Sequence, residues 1–131
     1  MMFIGGAVSI DKAWRREGYS YWPDEECSMT DLYQFVDKYV EVRPEIMVTH
    51  ECPEDLAKVM VQHVRNDKLN PEWSSRTRQA FQSMWSCHSP RLWIFGHWHW
   101  HFEAVVGDTR FICLPELAHV DIDTKNLTMN V

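Results

Sequence analysis

Cysteine is sparse and never paired at close spacing: Cys27, Cys52, Cys87 and Cys113 each stand alone. No Cys-x-x-Cys zinc or redox motif exists, and the four thiols are expected to be reduced and partly buried. Basic charge is also in deficit. Thirteen Lys plus Arg against nineteen Asp plus Glu leave a net charge of −6. That removes the sequence-wide positive field on which non-specific binding to nucleic acid or an anionic membrane depends. Long hydrophobic runs are missing: none approaches the roughly 20 residues that span a bilayer. The opening Met1-Met2-Phe3-Ile4-Gly5-Gly6 lacks the basic n-region and long apolar h-region of a secretory signal. A soluble, cytoplasmic protein without membrane partners is the expectation. Internal repeats and low-complexity segments are absent as well.

What the sequence does contain is 45% hydrophobic residues in 131 positions, enough for one domain over residues 1–131 with a modest core. Residues 1–10 form an apolar run that predicts a buried strand, and Gly5-Gly6 inside it suits a bend where a backbone or ligand comes close. Residues 11–28 are charged and aromatic without steady periodicity, which predicts a long ordered loop. Ser28 or Thr30 then caps a helix carrying Leu32, Phe35, Val36, Tyr39 and Val40 on one face, ending before Pro44. Residues 46–50 read as a buried strand, Pro53-Glu54-Asp55 opens a helix to about Val64, and Ser74 or Ser75 caps a third helix to about Cys87. The last third predicts strands over 91–95, 98–106, 110–114, 117–122 and 127–131, with Gly107-Asp108 as a hairpin turn. The order is βαβααβ followed by a β-meander, an α/β arrangement with helices covering a mixed sheet.

Chemistry concentrates in Gly96-His97-Trp98-His99-Trp100-His101, directly after the apolar run Leu92 to Phe95. On a strand, alternate side chains share a face, so His97, His99 and His101 are expected to point together. Two imidazoles at that spacing reach one divalent ion or two neighbouring ones. Gly96, lacking a Cβ, is expected to give access at the strand end. A further histidine, His50, closes the apolar strand ending Val48-Thr49, and ligands of open α/β sheets gather at the carboxyl ends of strands. His63 and His88 fall on predicted helices, away from this convergence.

Thr49-His50, Gly96-His97-x-His99 and the opening Gly5-Gly6-Ala7-x-Ser9-Ile10-Asp11, followed by Arg15, Gly18, Trp22-Pro23 and Glu25 or Glu26, together resemble the calcineurin-like metallophosphoesterases of bacterial and phage type. The resemblance spans about residues 3 to 115. It implies the C-terminal half of an αββα sandwich and a phosphomonoesterase or phosphodiesterase using Mn, Fe or Zn. It also implies that His50 and His97 ligate one ion and His99 the other. The family's Asp-x-His, Gly-Asp and Gly-Asn-His motifs precede the matching segment and do not occur here, and Gly107-Asp108 comes too late in the chain to stand in. No catalytic residue is identifiable, and half a binuclear site is expected.

Substitute carboxylates would have to come from Asp11, Glu51, Glu103 or Glu116, and Asp11, Arg15, Arg16 and His101 are candidates to touch a phosphoester substrate. Trp14, Tyr19, Tyr21 and Trp22 read as packing of the long loop or as a base-stacking wall. The chain is expected to be a fragment beginning at an internal start, completed by a missing N-terminal half or by self-association. Two alternatives compete. A cupin-like metal site would use His97, His99, Glu103 and His119 in a nearly all-β fold. A non-catalytic, self-associating module would expose an apolar sheet face or edge.

Overall fold

The computed structural model describes residues 1–6, 27–64 and 75–130. Five strands, β1 (Met2–Ile4), β2 (Ile46–Thr49), β3 (Leu92–Phe95), β4 (Phe102–Val106) and β5 (Thr109–Cys113), make one sheet in the order β1-β2-β3-β5-β4. The first four in that order run parallel, and β4 joins β5 antiparallel at the edge. Three helices, α1 (Met29–Val42), α2 (Glu54–Val64) and α3 (Arg76–Cys87), fill the connections, and β6 (Asp121–Asp123) pairs with β7 (Thr128–Asn130) as a separate ribbon. The α/β class expected from periodicity is what the chain adopts.

Helix boundaries follow local chemistry. The Ser28 hydroxyl accepts the Asp31 N–H at 3.1 Å and the Ser75 hydroxyl accepts the Arg78 N–H at 3.2 Å, each satisfying a donor the first helical turn leaves open. Arg43, in the left-handed region at φ 49°, ends α1 before Pro44. The strands are shorter than their apolar runs. Residues 7–10 of the first lie outside the described residues, and the last two shrink to Asp121–Asp123 and Thr128–Asn130.

The meander expectation fails for a specific reason. A meander would place β4 beside β3; instead β5 pairs with β3 in parallel register from Leu92↔Arg110 to Phe95↔Cys113, and β4 is pushed to the edge. The connection from β3 to β4 must therefore pass over the carboxyl end of the sheet, and it consists of the histidine segment 96–101. A nearly all-β cupin is excluded by the same topology.

One face of the sheet carries Tyr39, Met60, Phe81, Met84, Trp93, Phe95 and Phe111 in the main core beneath the helices. The other face holds Ile46, Leu92, Ile94 and Ile112, partly covered by Val120, Ile122 and Leu127. On that second face the register aligns Phe3, Val48, Ile94 and Ile112 in one row. Phe3 at its β1 end is exposed. All four cysteines are free thiols, as their spacing implies, and burial pushes the Cys113 thiol up to about 12. Among the described residues, no helix is long and apolar enough to cross a membrane.

Candidate metal centre

Strands β2 and β3 lie side by side and parallel, so their carboxyl ends open at the same edge of the sheet. The ladder continues one step past each strand: His50 N–H donates to the Ile4 carbonyl at 3.1 Å, and Gly96 N–H donates to the His50 carbonyl at 3.2 Å. His50 and the start of the histidine segment are thereby held together by main-chain bonds.

The segment itself is a tight loop, not a strand. His97 and His99 sit at φ 71° and 54°, and Trp98 N–H donates back to the Gly96 carbonyl at 2.8 Å, closing a turn around His97. Left-handed backbone costs a non-glycine residue roughly 1–2 kcal/mol, so the side-chain contacts of this loop must hold it. Strand alternation therefore does not align the three histidines, and the expectation built on it is corrected. Gly96 is not needed for room either, since a Cβ there would meet only the Leu114 carbonyl oxygen, at an ordinary 3.8 Å.

The loop nevertheless brings two of its histidines to His50. His97 Nδ1 lies 3.0 Å from His50 Nε2, with the rings edge to face at 4.8 Å. His99 Nδ1 lies 2.9 Å from Glu116 Oε1. Both pairs line one cleft of about 340 Å³, with Val48, Ile94 and Leu114 as its apolar floor. Burial, and next the neighbouring His99, push the His50 pKa below 6.5. Both effects favour the neutral form of the His50 imidazole.

That shift makes a stability prediction. The folded chain binds the His50 proton less readily than the unfolded chain, so the stabilisation is present above about pH 6.5 and lost as pH falls below it. His50→Gln is expected to flatten the fall in melting temperature between pH 6.5 and pH 5. An identical fall in both proteins would remove His50 as its source.

The other sequence candidates are placed as follows. His101 is exposed at the start of β4, outside the cleft lining. Glu103 is tied to Arg110 across β4 and β5, with Arg110 Nε donating to its Oε1 at 2.8 Å, and His119 is exposed, so the cupin-like ligand set does not assemble. Asp11, Arg15 and Arg16, with Trp14, Tyr19, Tyr21 and Trp22, lie outside the described residues. His88 caps α3, its Nε2 lying 2.8 Å from the Pro44 carbonyl oxygen.

Two imidazole nitrogens sharing a divalent ion at about 2.0–2.1 Å in tetrahedral geometry stand roughly 3.3–3.4 Å apart. The His50–His97 spacing meets that demand within a few tenths of an ångström. Among the described residues, however, no group of three or more His, Cys, Asp or Glu side chains is arranged to hold an ion. The donors form two pairs facing one cleft rather than one closed shell. No protein-family model, curated protein or solved structure matches the chain.

Proposed function

We propose that this chain is the C-terminal half of a calcineurin-like metallophosphoesterase, carrying part of a binuclear divalent-metal site for phosphoester hydrolysis. The observation that carries the reading is the meeting of His50 Nε2 and His97 Nδ1 at 3.0 Å over the carboxyl ends of β2 and β3. The mixed sheet with helices on one face is the arrangement expected of half an αββα sandwich, and its second face, with Phe3 exposed, is where the other half would pack.

His50 and His97 would hold one ion, Mn, Fe or Zn, and His99 with Glu116 would present a nitrogen and a carboxylate oxygen to the other side of the cleft. A bound divalent ion supplies charge neutralisation on phosphoryl oxygens. This chain's own residues contribute imidazole nitrogens at a fixed strand end, an apolar floor, and an exposed carboxylate at the rim. No side chain described here is placed as a general acid or base.

Metal stoichiometry tests the reading. After reconstitution with Mn²⁺ or Zn²⁺ and removal of loose ions, native mass spectrometry is expected to count one ion per chain, with no phosphodiesterase turnover by the chain alone. Two retained ions would overturn the half-site reading and show that carboxylates such as Glu116 complete the centre. None would overturn the metal reading and favour a non-catalytic interaction module.

A further inference from the structure

The sequence turns a corner at residues 50 and 51. His50 faces the cleft, while Glu51, the next residue, points inward and is only 1% exposed. A carboxylate so placed must be matched by donors or it destabilises the fold. Its Oε1 is matched: it accepts the Cys52 N–H at 2.9 Å and the Trp98 indole N–H at 2.7 Å. Its Oε2 makes no hydrogen bond among the described residues and faces two groups, the Arg78 guanidinium at 3.9 Å and His97 Nε2 at 3.6 Å. Arg78 is shared with a second carboxylate, its Nε lying 3.3 Å from Glu54 Oε2.

We propose that Glu51 is the positioning residue of the candidate metal centre: its inward carboxylate selects the His97 tautomer with the proton on Nε2 and leaves the Nδ1 lone pair facing His50 Nε2. The contact stands on its own geometry, and its use for an ion rests on the metallophosphoesterase reading above. A carboxylate beside one imidazole nitrogen favours the N–H there, which fixes the ring and makes the opposite nitrogen the ligand. His97 presents that arrangement, with Glu51 Oε2 on one side and His50 Nε2 on the other.

The same carboxylate also fixes the loop. Trp98, between the two histidines of Gly96-His97-x-His99, buries its indole against Glu51, and this anchor holds the positive-φ turn at His97 in place. Glu51 thus links the end of β2, helix α3 through Arg78, and the His97 turn through His97 and Trp98. A purely structural account, in which Glu51 only partners Arg78 and Trp98, makes no demand on the His97 tautomer.

Nitrogen-15 NMR of the imidazole rings of the whole metal-free chain, with His97 assigned by His97→Gln, separates these accounts. The wild-type His97 is expected to carry its proton on Nε2. Glu51→Gln is expected to lose that preference and to weaken Zn²⁺ or Mn²⁺ binding by about 10–100-fold. A wild-type His97 protonated on Nδ1, or a tautomer unchanged in Glu51→Gln, overturns the proposal. If Glu51→Gln does not fold, the wild-type spectrum alone decides. An Nε2–H signature in a wild-type chain that binds neither ion supports the Glu51 contact and overturns the metal reading, so the two failures are distinguishable.

Discussion

His97→Ala is expected to reduce divalent-ion affinity more than about 100-fold, beyond the 10–100-fold typical of losing a residue that only supports a ligand. The reason is geometric. His97 touches both His50, at 3.0 Å, and Glu51, at 3.6 Å, so its removal deletes a donor and also a ring packed against His50. Alanine also frees the turn at φ 71° from the contacts that hold it. His99→Ala should cost less, because its partner Glu116 is exposed and the pair stands across the cleft. His101→Ala should change nothing, being exposed and outside the cleft lining. Isothermal titration with Zn²⁺ or Mn²⁺ measures all three, and equal losses at His97 and His101 would sink the site. His88→Ala is unsuitable as a neutral control, since its ring packs on Tyr39 at 5.6 Å and reaches the Pro44 carbonyl oxygen.

Helices could be read from this sequence because each carries an apolar stripe at its own period, and α1 and α3 also carry caps of the right chemistry. Ser28 and Ser75 both cap as their side chains suggest, and Pro44 marks the end of α1. The strand order could not be read. Nothing in residues 91–114 tells that β5 rather than β4 pairs with β3, because pairing is decided by the burial of Phe111, Ile112 and Cys113 in the middle of the sheet, whereas β4 shows an edge pattern with Val105 exposed. A separate misreading, strand from residue 98 where β4 begins only at Phe102, produced the wrong reason for the histidine cluster. Alternation along a strand would align His97, His99 and His101, but a loop with two left-handed residues brings only His97 and His99 into the cleft with His50. Glu51 was visible as an acid next to His50, yet its inward direction depends on Arg78 and Trp98, which lie 27 and 47 positions further along the chain. No local pattern carries that information.

Trp93→Ala is expected to be the most damaging single change to the fold. Trp93 is fully buried at the centre of β3, stacked on Phe111 at 5.8 Å, edge to face with Phe81 at 5.7 Å, and tilted against Tyr39 at 6.4 Å. Removing a buried tryptophan costs about 3–5 kcal/mol, a large share of the roughly 5–15 kcal/mol that holds a domain together. The melting temperature should fall by about 10–20 °C, or the chain should fail to fold. The indole also has a polar role: its N–H donates to the Thr49 hydroxyl at 2.8 Å, and that hydroxyl in turn donates to the Glu51 carbonyl. The bond therefore fixes the backbone on both sides of His50. Trp93→Phe weights the comparison toward this tether, since it keeps an aromatic ring in the core while removing the donor along with part of the indole's volume. It should cost about 1–2 kcal/mol and still lower ion affinity, because His50 would leave β2 less firmly held. Melting by circular dichroism and ion titration on the two variants read these effects apart. Full ion affinity in a destabilised Trp93→Phe would mean that the main-chain bonds from His50 to Ile4 and Gly96 suffice to hold the ligand.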